Sequence, residues 1–346
     1  MNIPTQFMIT FSIIIGTIIT ASSHHWLMAW AGLELNMLAI LTIIMKPKHP
    51  RAAEAAIKYF LIQAIASTMI LFSSTINAIQ TGQWNILQMN EKYACMILLL
   101  ALTMKIGAAP IYFWLPEVMQ GTTTMTALII ATWQKIAPIT IMFMTHNNLP
   151  PKITMSIGIA SALIGGWGSI NQTQLRKLMA YSSIANLGWT MVIFTTSPHT
   201  AMLNIMMYII MLNPTLLLIK NMSMKTLKDS SIAWTTSPMA STLLTLMLLS
   251  LSGMPPLTGF IPKLLILNEL VTKNLIPIAV TMAMVSLINL FFYMRTTYIT
   301  TMTTPPITSL TVMKWRLIMP KQKFMTALIP LSLMTPPLLP ILTSMI

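Results

Sequence analysis

The chain has 346 residues, of which 55% are hydrophobic and only 8% charged. A soluble globular domain carries about 25% charged residues, so the composition excludes a soluble enzyme, a secreted disulfide scaffold and a disordered chain. The basic excess, 20 Lys and Arg against 6 Asp and Glu, lies between apolar runs, so it reads as membrane orientation and not as nucleic-acid binding.

A helical crossing needs about 20 apolar residues. In chain order the apolar runs predict spans at 3–21, 25–45, 56–79, 94–119, 123–145, 153–170, 174–195, 200–220, 238–272, 276–298 and 324–344. The fold class expected is therefore all-α, a polytopic membrane protein with about 11 transmembrane helices. The first run has no basic segment before it and no small-residue cleavage site after it, so it reads as a retained span and not a signal peptide.

The fourth and ninth spans are too long for one straight helix. Gly107 and Pro110 interrupt the fourth; Gly253, Pro255, Pro256, Gly259 and Pro262 interrupt the ninth. Such residues remove helix hydrogen bonds, and the freed backbone groups need protein or water partners when no lipid can supply them. Two broken helices facing an internal polar cavity are expected. Spans one to five and six to ten are equal sets with the break fourth in each, and an odd number of crossings inverts the second set. This predicts inverted five-helix units at 1–150 and 151–298, followed by a loop and C-terminal helix at 299–346, a pattern that marks ion pathways in transporters. Sorting the basic residues by span parity puts fourteen on the N-terminal side and only Lys92, Lys152 and Lys273 on the other. That asymmetry places the N-terminus inside.

Four charges fall near mid-membrane. Glu34 is central in the second span, Lys105 sits at the first break, Lys135 is central in the fifth span and Lys263 follows the second break. Each costs roughly 2.5–3.5 kcal/mol to insert. An amine held in an apolar interior gives up its proton more readily, and a nearby carboxylate restores its hold. Three lysines and one glutamate do not balance as structural ion pairs, so a proton relay is the stronger reading. Glu54 and Lys58, spaced i, i+4, read as a solvated helix pair. Cys95 is the only cysteine, too few for an iron–sulfur cluster. The histidines lie near loops, which argues against haem, and His24–His25 read as interfacial. No phosphate-binding loop and no metal spacing occurs.

The segments WAGLELNMLAI (30–40), MKIGAAPIYFWLPEV (104–118), TWQKIAP (132–138), NQTQLRKLMAYSSIANLGW (171–189) and SGMPPLTGFIPK (252–263) resemble the antiporter-like membrane-arm subunits of respiratory complex I. That family is in turn similar to multisubunit cation/proton antiporters. The resemblance implies proton translocation coupled to NADH:ubiquinone electron transfer performed elsewhere in the complex. It implies that Glu34 pairs with Lys105 as a coupling switch, that Lys135 is the central relay and that Lys263 lies nearer the exit. It places NAD, FMN, iron–sulfur clusters and ubiquinone on other subunits, with no cofactor or metal on this chain. The partners implied are other membrane-arm and accessory subunits and membrane phospholipids, in the mitochondrial inner membrane with the N-terminus on the matrix side. Tyr112 and Asn186 stand where the family often has histidine. Neither titrates near pH 7, so they are expected to support a water chain and not to accept protons. The alternative reading is a stand-alone or multisubunit cation/proton antiporter.

Overall fold

A computed structural model describes residues 3–302, 328–330 and 332–333. Among these residues the regular elements are helices, accompanied by two isolated β-bridges. Seven helices are long and apolar enough to cross a membrane by length and composition, and the chain is an all-α, multi-pass membrane protein. The expected eleventh span, 324–344, lies outside the described residues apart from a few positions.

The described residues divide into two compact units. The first runs to Ser161 and adds Phe194–Pro198; the second takes Ala162–Ile193 and the described residues from His199 onward. The division falls inside one helix, α8 (Pro151–Ile170), half a helix later than residue 150.

The first unit begins with α1 (Ile3–Ser22), α2 (Trp26–Ile44) and α3 (Pro50–Thr81). His25 and His49 start the second and third helices: their Nδ1 atoms accept from the amides of Leu27 and Arg51, each at 3.2 Å. Both act as N-caps, satisfying donors that a helix start leaves open. The fourth predicted span is two helices, α4 (Lys92–Ile106) and α5 (Trp114–Gly121). The fifth is also two, α6 (Thr124–Ala131) and α7 (Trp133–Thr145), separated at Thr132. That third interruption was not anticipated. Thr132 leaves helical geometry there, and within α7 Pro138 has no N–H to give the Gln134 carbonyl.

The second unit continues with α9 (Leu175–Phe194), α10 (Pro198–Asn221), α11 (Leu227–Thr236), α12 (Pro238–Ser252), α13 (Phe260–Thr272) and α14 (Ile276–Met302). The ninth predicted span is α12 plus α13, broken as expected. The short α11 was read as loop. It is set by a capping box: Thr226 accepts from the Asp229 amide, and the Asp229 carboxylate accepts from the amides of Lys225 (2.9 Å) and Thr226 (2.8 Å). Partial burial alone would raise the Asp229 pKa, but these two amide donors, with the Thr226 hydroxyl and Lys225 charge, hold it below the usual 3.8. A depressed carboxylate stabilises the fold above its unfolded value and loses that contribution as pH falls through the folded one. Protection of the 225–236 amides, measured as exchange relative to the intrinsic rate at each pH, should therefore be constant from neutral pH down to about 4 and fall below it. In Asp229→Asn the pH step should vanish.

The last described membrane helix shows an apolar face left exposed and a face carrying polar residues turned inward. Along α14, Val280, Met284, Leu287, Phe291, Met294 and Tyr298 form an exposed stripe at three- and four-residue spacing. The opposite face buries Asn289, Tyr293, Thr296, Thr297 and Thr300.

Candidate functional site

The two expected breaks have the same construction. Both α4 and α12 are 15 residues long, and both end at a glycine in the left-handed region, Gly107 and Gly253, each at φ 82°. With Gly107 aligned on Gly253, Pro110 falls on Pro256 and Pro116 on Pro262. The last carbonyls of a helix have no intrahelical partner and must find one. At the first break the Thr103 carbonyl takes the amides of Gly107 (2.9 Å) and Ala108 (3.0 Å). The Met104 carbonyl accepts from the Trp114 indole at 3.1 Å, and the Lys105 carbonyl accepts from Gln63 Nε2 at 3.2 Å. At the second break Gly253 donates back to Leu249 and Ser250. The Ser252 carbonyl accepts from Lys263 Nζ at 2.6 Å. A buried ammonium thus closes the second half-helix where an amide side chain and an indole close the first.

Lys105, Lys135 and Lys263 are 4%, 4% and 8% exposed, while Glu34 is partly buried. Lys105 belongs to the last turn of α4, before its break; Lys135 belongs to the first turn of α7, just after the unanticipated one; Lys263 lies in α13. Among the described residues no direct ion pair joins Glu34 to Lys105, although the carboxylate acts electrostatically on the ammonium.

A small cavity lies at the broken helix of each unit. The first is lined by Leu33, Asn36 and Met37 of α2, Gln63 of α3, Lys105 of α4, and Gln134, Ala137 and Pro138 of α7. It is barely large enough for one water molecule. The second is lined by Ser182, Ala185 and Asn186 of α9, Leu251 of α12, Lys263 of α13, and Asn289, Phe292 and Tyr293 of α14. Each cavity therefore contains one buried amine, with an asparagine from the second helix of its five-helix set. Asn186 and Lys263 line the same cavity. Tyr112 does not line the Lys105 cavity; it is half-buried and stacks beside Phe113, with ring centroids 4.1 Å apart.

Lys263 also lies over the Trp189 ring, 5.8 Å from its centroid, a position that favours a cation. Gly253 leaves room for it: a Cβ there would sit 2.8 Å from Lys263 Nζ. Sequence reasoning missed the polar frame around the lysines. Gln63 and Gln134 carry no formal charge and sit singly in apolar runs. Their signal is only that a glutamine is out of place in a lipid-crossing helix. Glu117 is likewise more than a span-end charge. Lys58 bonds both Glu54 (2.5 Å) and Glu117 (2.7 Å), tying α5 to α3. Among the described residues no group of three His, Cys, Asp or Glu side chains is placed to hold a metal.

Two sets of lysine-bearing broken helices in a multi-pass chain match a known family model, described as NADH:quinone oxidoreductase/Mrp antiporter, transmembrane, over residues 23–289. The chain belongs to this family. Within the NADH:quinone oxidoreductase/Mrp antiporter family, it is 50% identical over 317 residues to NADH-ubiquinone oxidoreductase chain 2 of Varanus melinus, covering 92% of each chain. Its fold is similar to a chain of respiratory complex I from Thermus thermophilus, with TM-score 0.82 and 22% identity over 94% of this chain and 75% of that one. It is also similar to a chain of the Mrp complex from Dietzia sp., with TM-score 0.79 and 17% identity over 86% of this chain and 61% of that one.

Proposed function

We propose that this chain is the antiporter-like, proton-translocating subunit of a mitochondrial NADH:ubiquinone-reducing complex. The redox chemistry takes place on other subunits, and this chain moves protons through Glu34, Lys105, Lys135 and Lys263. The observation that carries the reading is a buried amine at each of two like-built helix breaks, one per unit. A lysine held this way alternates between charged and neutral forms at modest energetic cost, which is what a relay needs. The high identity to a chain-2 subunit over 92% of both chains favours the complex over a free-standing antiporter. The cofactors NAD, FMN, iron–sulfur clusters and ubiquinone then belong to the partners. Neighbouring membrane-arm subunits and phospholipid cover the exposed apolar faces.

The two five-helix sets are read as inverted repeats. Support comes from the two β-bridges. His25 pairs with Asn85, joining the connection between spans one and two to that between three and four. Gln174 pairs with Thr226, joining the connections between six and seven and between eight and nine. These are corresponding connections, and span parity puts them on opposite membrane surfaces. The same parity, with the basic-residue asymmetry, supports an N-terminus on the matrix side.

The test is a native gel of gently solubilised membranes, stained for NADH oxidation and analysed by mass spectrometry. The chain should appear in a very large NADH-oxidising band. Migration with a few small membrane proteins and no NADH oxidation would turn the assignment to a cation/proton antiporter.

A further inference from the structure

The first turn of α7 is loosely held by its own backbone. Thr132 leaves helical geometry just before it, so the turn does not continue from α6. Pro138 has no N–H to give the Gln134 carbonyl, so a bond between the first and second turns is missing. This is the turn that carries Lys135. Its position depends on what holds it from outside.

That hold comes from one face of α3. Tyr59 is fully buried, and its hydroxyl bonds the side chain of Gln134, the residue before Lys135. A phenol both donates and accepts, so the bond survives either orientation of the amide. The Tyr59 ring lies tilted against the Trp114 ring, with centroids 5.9 Å apart. The Trp114 indole donates to the Met104 carbonyl at 3.1 Å, one residue before Lys105. One turn further along α3, Gln63 donates to the Lys105 carbonyl at 3.2 Å. Residues spaced i, i+4 share a helix face, so Tyr59 and Gln63 grip the start of α7 and the end of α4 from a single surface. The α5 helix, which brings Trp114, is packed on α3 with little slack. A Cβ on Gly121 would come within 2.7 Å of the Arg51 carbonyl and of Ala55 Cβ.

We propose that Tyr59 is a positioning residue for the relay: its hydroxyl on Gln134 and its ring on Trp114 hold the first turn of α7, and with it Lys135, in register with Lys105 at the end of α4. The inference rests on the relay reading above and deepens it, by naming what sets the spacing of the two first-unit amines. Without the hydroxyl the turn samples other positions. The fraction of time in which the amines are aligned then falls by about fivefold, the scale of one ordinary hydrogen bond. Transfer between positioned groups is lost with small displacements, so the rate follows that fraction.

The experiment uses the intact complex reconstituted in vesicles, with Tyr59→Phe, Gln134→Leu, the double variant and Lys135→Ala. Native gels report assembly. NADH-driven proton pumping is measured per assembled complex, together with KM for NADH and for ubiquinone. Tyr59→Phe keeps the ring on Trp114 and should assemble. It should pump about fivefold more slowly, with both KM values unchanged. Gln134→Leu should show the same loss, and the double variant no more than either single one, because all three remove one bond. A merely structural role would lower the amount of complex and leave the rate per complex unchanged. Wild-type pumping per complex in assembled Tyr59→Phe overturns the proposal, as does a double variant that multiplies the two losses. If Tyr59→Phe does not assemble, wild-type pumping by Gln134→Leu overturns it from the other end of the bond. Failure of both to assemble would make the pair structural and overturn it too. Lys135→Ala should lose about a hundredfold. If it does so while Tyr59→Phe loses nothing, the positioning role alone is wrong. If Lys135→Ala also pumps normally, the relay reading falls as well.

Discussion

Lys105→Ala leaves the assembly intact and lowers NADH-linked proton translocation by about a hundredfold, the lower end for removing a positioned proton donor. The expectation of intact assembly comes from how the first break is held. Its carbonyls are closed by Trp114, Gln63 and the glycine turn, and it is the backbone carbonyl of Lys105, not its ammonium, that takes part. Alanine keeps that carbonyl. It removes the amine together with the buried stem that carries it, a packing loss that breaks none of the hydrogen bonds closing the helix end. Lys263→Ala behaves differently. Its ammonium bonds the Ser252 carbonyl at 2.6 Å, so truncation leaves a buried carbonyl open at about 1–3 kcal/mol. That variant should lose both assembled complex and pumping. The check is native-gel yield together with protons moved per NADH oxidised. Normal stoichiometry in assembled Lys105→Ala would sink the relay role of that residue. Equal loss of assembly in both variants would favour a structural role for the lysines.

Gly253→Ala is the second large effect, and Gly107→Ala is its control. Both glycines sit at φ 82°, where a side chain costs about 1–2 kcal/mol on the backbone alone. They differ in what a Cβ would strike. At Gly107 the nearest atom is Leu115 Cδ1, 2.8 Å away, the far end of a flexible side chain. At Gly253 it is Lys263 Nζ at 2.8 Å, with Lys263 Cδ at 2.9 Å. A methyl group there pushes the ammonium off the Ser252 carbonyl. Both variants should reduce assembled complex severalfold, in line with about 1–2 kcal/mol at 1.4 kcal/mol per tenfold. Only Gly253→Ala should also reduce pumping per assembled complex. Equal pumping per complex in the two variants would show that the lysine contact at the second break has no functional weight.

Much of this was legible in the sequence because lipid imposes a coarse rule. Twenty apolar residues make a crossing, so ten of the predicted spans coincide with helices or helix pairs among the described residues. Glycine and proline made two of the breaks readable, since Gly107 and Gly253 do adopt the left-handed turn that only glycine takes easily. Pro138 lies inside α7, past the break, and marks no helix end at Thr132, so that interruption went unread. The four mid-span charges stood out against hydrocarbon. The residues that frame them did not, because Asn36, Gln63, Gln134 and Asn289 carry no charge and their importance depends on which helices meet. The capping box at Thr226–Asp229 has the expected spacing, yet lies in a polar stretch where a short helix and a loop look alike.

The two breaks place their amines at the same electrical address. Lys105 belongs to the final turn of α4, and Lys263, though carried on α13, docks on the last carbonyl of α12. Lys263 thus meets the negative pole of a half-helix directly, and Lys105 is carried in the turn where such a pole acts. A pole of this kind holds a cation by about 0.3–2 kcal/mol. Moving one charge through the whole membrane potential involves about 2.3 kcal/mol per 100 mV. Each half-helix thus acts as a fixed bias of roughly 15–90 mV, wired in series with the membrane voltage. An organelle that changes its potential by a few tens of millivolts would change how often these two sites are occupied, with no movement of the helices themselves.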